Sequence, residues 1–312
     1  MRRTRVGLTV AVVTATAAAG TGAAVLLLDD GPEARAAAQV SASEQISAAD
    51  AGQTERYWTD RRMAAATPVG GRGEQPQIGA SAAVPKGVPR ATAFGGVPSI
   101  GALFFNNGAG DHYCTASVVH SYSRRLLLTA AHCIHGGKGK GYVRNVAFVP
   151  KYDRGRRPYG TWTARSLTVY RNWQTKSDPD LDFGYIALNP RNGRNVQNVV
   201  GANRLGLNQG TGKWVNVAGY PRIVHDRRDR PIYCRVKTRR QARFQIRMDC
   251  AGFYGGTSGS PWLLNYSTRS HTGYISGVIG GYQGGGNVHY TSYSPYFDND
   301  VHNLRTAADK RA

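Results

Sequence analysis

From Arg90 to its C-terminus the chain contains no glutamate. Chemistry that pairs two carboxylates, as most glycosidases do, would therefore rest on aspartate alone, which counts against that class. Cysteine is scarce, with four in 312 residues: Cys114, Cys133, Cys234 and Cys250. No C-x-x-C or H-x₃-H pair accompanies them, which counts against a zinc site. Long helical periodicity is missing before the last dozen residues, where Asp298–Ala308 predicts a short helix. The strand–helix alternation of an α/β-hydrolase is missing too, so an esterase of that fold is disfavoured.

What is present points to an all-β chain. Glycine is abundant at 39, and short apolar runs are punctuated by Gly, Asn and Pro. Strands are expected at Ile100–Phe105, Thr115–His120, Arg125–Thr129, Asn145–Val149, Tyr185–Leu188, Trp214–Ala218, Gln245–Cys250, Gly273–Gly280 and His289–Tyr293. That spacing suits a barrel or a sandwich. Tyr290, Tyr293, Tyr296 and Phe297 are expected to serve core and barrel closure.

The net charge is +21. From Arg90 onward 31 Lys and Arg face 11 Asp, whereas residues 39–89 balance at five against five. A basic surface raises solubility and also attracts polyanions such as an anionic cell wall. Arg222–Arg247 is the densest stretch. It lacks the interleaved aromatics of a single-strand nucleic-acid platform, so nucleic acid is not the expected partner.

The N-terminus opens with Arg2-Arg3-Thr4-Arg5, continues uncharged from Val6 to Leu28, and reaches small residues at Ala34–Ala38. Residues 1–38 are therefore expected to be a signal peptide, with a retained membrane anchor as the alternative. Residues 39–89, rich in Ala, Ser, Gln, Gly and Pro, read as a pro-segment or a disordered linker. Export makes disulfides the expected state of the cysteines. Four allow three pairings; the local one, 114–133 with 234–250, closes two loops of under 20 residues, worth about 3 kcal/mol each.

Two segments carry candidate chemistry. Thr129-Ala130-Ala131-His132-Cys133 resembles the T/S-A-A-H-C signature of trypsin-like serine peptidases. Gly256-Thr257-Ser258-Gly259-Ser260-Pro261 resembles their G-D-S-G-G-P box, and is closer still to the G-N-S-G-S-P of the staphylococcal glutamyl endopeptidase group. The likeness spans about residues 95–300. It implies two perpendicular six-stranded antiparallel β-barrels, residues 90–200 with His132 and Asp182, and residues 201–312 with Ser258. It also implies a secreted, monomeric endopeptidase acting on polypeptide, with no metal or organic cofactor.

A serine hydroxyl needs a base to act as a nucleophile at neutral pH. Ser258 takes that position and Ser260 the second-glycine position; His132 is the base. Gly256 and Ser258 would offer backbone N–H groups as an oxyanion hole. The orienting acid is expected at Asp182, at the head of Phe183–Leu188, with Asp180 and Asp178 as alternatives. His135 is expected to be a loop residue, and His271 and His289 are core or pocket histidines without an assigned role.

Thr257 departs from the family's Asp, which in trypsin-type enzymes pairs with a freed N-terminal amine. Control by residues 39–89 would then be steric or folding-related, or absent. Gly252, six residues before Ser258, stands at the expected pocket base, where no acid awaits a basic side chain. Ile279 stands where the glutamyl group has a histidine. An apolar or small residue at the cleaved bond is therefore expected, with Gly280 and Gly281 admitting the substrate as an added strand or else forming a turn. The competing reading is a non-catalytic module that holds an anionic partner on the basic face.

Overall fold

The computed structural model describes residues 41–69, 83–221 and 230–312. The expected signal peptide lies outside them. Among the described residues no helix is long and apolar enough to cross a membrane.

Residues 41–69 are built as β1 (Ser41–Gln45), α1 (Ala48–Tyr57), α2 (Asp60–Ala65) and β2 (Thr67–Pro68). The local signals of this stretch are small but sufficient. Ser47 caps α1, its Oγ accepting the Asp50 N–H at 3.1 Å, and Thr59 caps α2 through the Arg62 N–H at 3.3 Å. Trp58 between the helices is 1% exposed.

β3 (Thr92–Ala93) follows, then the first barrel: β4 (Ile100–Asn106), β5 (Asp111–Val118), β6 (Leu126–Thr129), β7 (Arg144–Pro150), β8 (Trp162–Tyr170) and β9 (Gly184–Leu188). Their order is β8-β7-β4-β5-β6-β9, and β9 pairs back onto β8 to close the ring. Leu103, Phe105, Leu126, Leu127, Leu128, Phe148 and Ile186 are fully buried. α3 (Arg171–Lys176) sits between β8 and β9, and α4 (Val196–Val200) precedes the second half.

That half contains β10 (Arg204–Leu205), β11 (Trp214–Gly219), β12 (Ile232–Lys237), β13 (Arg239–Ala242), β14 (Gln245–Asp249), β15 (Pro261–Ser267), β16 (Thr272–Val278) and β17 (Thr291–Pro295). They form two sheets, β10-β16-β15-β11-β12-β3 and β13-β14-β17. Among the described residues only the first barrel closes by strand pairing. The second encloses its core (Val215, Val217, Met248, Phe253, Trp262 and Ile279) between the two sheets. The Cys234–Cys250 disulfide crosses from β12 to the end of β14.

Two boundaries differ from expectation. Residues 92–93 pair with β12 and so belong to the second half. The terminal helix α5 (Asn299–Asp309), capped by Asp298, turns back onto β8 and β9. Val301, Leu304 and Ala308 are its buried face, and the Tyr185 hydroxyl donates to the Val301 carbonyl at 3.0 Å. The last strand runs two residues later than its sequence suggested, and of the four C-terminal aromatics only Phe297 is fully buried.

Candidate active site

The β6–β9 register explains why a histidine and an aspartate 50 residues apart meet. Thr129 pairs with Gly184 at the end of the ladder. The chain leaves β6 into the 3-10 turn Ala131–Cys133, which holds His132. It enters β9 from the turn Pro179–Leu181, which Asp182 closes. Both residues thus emerge from the same end.

Asp182 is fully buried and accepts three hydrogen bonds. The His132 N–H donates to Oδ1 at 2.9 Å, His132 Nδ1–H donates to Oδ2 at 2.8 Å, and the Gly281 N–H donates to Oδ2 at 2.7 Å. Two contacts from one histidine fix both its backbone and its ring. With Nδ1 carrying the proton, Nε2 is left as the acceptor. The His132 side chain keeps 16% exposure, so its outer edge stays reachable.

The other two carboxylates of the cluster are occupied elsewhere. Asp178 Oδ1 accepts the Asp180 N–H at 3.0 Å, and Asp180 Oδ1 accepts from Gln245 Nε2 at 2.7 Å. Behind the histidine, Cys114 of β5 is bonded to Cys133. The two sulfurs and a His132 ring nitrogen lie within 4.8 Å of one another, but sulfurs joined to each other offer no thiolate to a metal.

The serine turn lies between β14 and β15 and is fastened to the first barrel. The Thr115 N–H donates to the Ser258 carbonyl at 2.8 Å, and Thr115 Oγ1 donates to the Gly256 carbonyl at 3.0 Å. Gly259, at φ +81°, leaves no room for a Cβ, which would collide with the Thr115 carbonyl and Thr129 Oγ1. Ser258 is thereby held against the segment that carries His132. Gly256, at φ +94°, is walled by the Tyr113 ring and the Tyr220 carbonyl. Among the described residues neither the Gly256 nor the Ser258 N–H donates to another group, as an anion-binding pair requires.

Ser260 is different. It is fully buried, packs against Gly219, and its Oγ finds no partner. Thr257 Oγ1 donates to the Tyr254 carbonyl at 2.7 Å, so the turn closes on itself with a neutral group where the family carries Asp.

Gly280 and Gly281 lie just beyond β16, beside Asp182 rather than along an open strand edge. The Gly280 N–H donates to the Tyr293 carbonyl at 3.0 Å, and the Gly281 N–H is committed to Asp182. Gly252, at φ +111°, donates to the His289 carbonyl at 3.0 Å and to its Nδ1 at 3.2 Å. The His289 ring stacks on Tyr254 with centroids 4.5 Å apart. His289, which the sequence left without a role, thus contacts Gly252, the expected pocket base.

The nearest acid, Asp249, is held by Arg247 at 3.0 Å and by the Thr291 hydroxyl at 2.9 Å. His135 lies in the loop before β7 and is buried: its Nδ1 accepts the Gly137 N–H at 3.0 Å, and burial pulls its imidazole below the usual histidine range. His271 is exposed and borders a cavity of about 430 Å³ on the outside of the second half.

A closed β-barrel joined to a second β-layer, with a hydrogen-bonded aspartate–histidine pair and a glycine-lined serine turn fastened beside the histidine's segment, is the architecture of a serine endopeptidase. The trypsin family profile matches residues 89–299, and the chain belongs to that family. Among solved structures, the protease Anisep from Arthrobacter nicotinovorans is 27% identical, with 70% of this chain and 99% of that one covered and a TM-score of 0.64. The thermostable serine protease AL20 from an extremophilic microorganism is 29% identical over 68% and 97%, with a TM-score of 0.61. A Glu endopeptidase shares the fold at 18% identity, covering 71% and 98%, with a TM-score of 0.56. No curated protein matches the chain.

Proposed function

We propose that this serine endopeptidase cleaves peptide bonds through an acyl-enzyme on Ser258. His132 takes the Ser258 proton and returns it to the leaving amine. Asp182 holds the imidazole tautomer and stabilises the imidazolium. The Gly256 and Ser258 N–H groups meet the oxyanion. The observation that carries this reading is the double contact of Asp182 with His132 at 2.8 and 2.9 Å. In cleavage of an unfolded protein, Asp182→Asn should keep the fold and lower kcat by about 10⁴-fold. Unchanged kcat in that variant would contradict the assignment.

The substrate side chain entering beside Gly252 is apolar or small. The supporting fact is that Asp249, the acid closest in sequence, is already paired, so a basic side chain finds no waiting carboxylate. The protein acts outside the cell, a reading supported by two disulfides and no free cysteine. Its basic face holds an anionic polymer such as the cell wall. Supporting this, Arg235 and Lys237 alternate outward along β12 and both approach the Trp214 ring on β11, at 4.6 and 5.4 Å from its centroid.

A further inference from the structure

The first barrel has two strand edges that its own ring leaves open, and residues 41–69 occupy both. β7 pairs with β8 only at Trp162 and Thr163, and β1 takes Ser166 to Tyr170 in five antiparallel pairs. β5 is covered on one side by β4 along its length. On the other side β6 reaches only Ser117 and Val118, and Thr115 bonds Ser258. The remaining edge, His112–Tyr113, is taken by Thr67–Pro68.

That edge belongs to the neighbourhood of the catalytic turn. Tyr113 walls Gly256, and the next residue, Cys114, is bonded to Cys133 beside His132. A polypeptide with its scissile carbonyl at Ser258 and Gly256 must leave past Tyr113. Adding to a free strand edge is the simplest way for an extended chain to be held there.

We propose that residues 41–69 are an intramolecular clip that closes the leaving-group side of the cleft by keeping Thr67–Pro68 on the edge of β5. This rests on the serine-peptidase reading above. The clip is anchored away from the chemistry. Trp58 packs on Phe104 and donates from Nε1 to the Asn145 carbonyl at 2.5 Å. Arg62 binds Asp111 at 2.8 Å and lies 4.0 Å over the Tyr57 ring. Tyr57 also donates to Asp111, at 2.5 Å, and Asp60 pairs with Arg157. Met63 and Ala66 of the clip bury against Tyr113 and Tyr220, the two residues that wall Gly256. The contact is therefore released by loosening α2, without touching His132, Asp182 or Ser258.

The test uses the full chain and two kinds of substrate. A small fluorophosphonate and a short ester reach Ser258 without passing Tyr113; an octapeptide cleaved at its middle must pass it. Asp60→Lys with Arg62→Glu sets like charges against Arg157 and Asp111 on the surface. We expect this variant to match the wild type within twofold on the probe and the ester, and to cleave the octapeptide at least tenfold faster. Trp58→Ala should show the same split; if it does not fold, the surface variant alone decides. Equal octapeptide rates in the wild type and the surface variant would overturn the clip while leaving the peptidase intact. No labelling of Ser258 in any variant would overturn the serine reading, and the clip with it.

Discussion

Gly256 shows how much one residue is asked to do. Its φ of +94° suits glycine alone, its N–H is free to meet an anion, and a methyl group would strike Tyr113 and the Tyr220 carbonyl. Gly256→Ala should therefore lower kcat by about 10²–10³-fold, the loss expected for one oxyanion donor, with a smaller change in KM. Equal falls in kcat and rises in KM would point to a blocked pocket instead. Neighbouring residues explain what could be foreseen. His132 and Ser258 stood out because each sits in a short, chemically specific sequence. Asp182 was preferred to Asp178 and Asp180 because it heads the apolar run Phe183–Leu188, and the β6–β9 register accounts for its meeting with His132. His289 had no such local signal: its contact with Gly252 joins residues 37 positions apart.

Among the elements, the clip has a strength that varies with pH. Asp111 feels burial, which alone would raise its pKa. Hydrogen bonds from Tyr57, Asn106 and Arg62 outweigh that and hold it below the usual carboxylate range. The charged group that meets Asp111 is Arg62, and the titratable side chain on the strand edge itself is His112, whose Nδ1 lies 3.2 Å from Thr67. A depressed carboxylate stabilises docking above its unpaired pKa of about 4, and that stabilisation is lost as pH falls through its lowered value. Protection factors of the α1 and α2 amides should therefore fall below about pH 4 while those of β4–β7 hold. Unchanged α1–α2 protection factors from pH 6 to pH 3 would contradict this. The Cys114–Cys133 bridge makes a second element-scale prediction. Replacing both cysteines with serine should cost about 3 kcal/mol and lower Tm by roughly 6–12 °C.

Why the clip was invisible in the sequence is a matter of composition. Residues 39–89 are Ala-, Ser- and Gln-rich, a profile that by itself cannot support a core. Its order is borrowed: Trp58 and Met63 bury into a barrel formed by later residues, and β1 and β2 complete edges that the barrel leaves open. Five strands of the first barrel were legible because their apolar runs are long enough to be buried on both faces, whereas β8 was not expected, its first half being broken by Thr163, Arg165 and Ser166. β12 was harder, since its alternate residues Tyr233, Arg235 and Lys237 face outward and read as a charged stretch.

At the scale of the whole molecule, charge and architecture divide the labour. The interior holds the Asp182–His132 pair beside the serine turn, while the sequence from Arg90 onward carries 31 basic against 11 acidic residues. Arg235 and Lys237, both exposed beside Trp214, should make retention on an immobilised polyanion sensitive to salt. Arg235→Glu with Lys237→Glu should elute at clearly lower salt with kcat unchanged. Elution at the wild-type salt would move the polyanion site elsewhere on the surface.

The catalytic assignment meets its most direct test in the intact mass of the full chain after reaction with a fluorophosphonate. A single adduct, mapped by peptide sequencing to Ser258 and lost in Ser258→Ala but not in Ser260→Ala, is the predicted result. An adduct that persists in Ser258→Ala, or that maps to Ser260, would contradict the account.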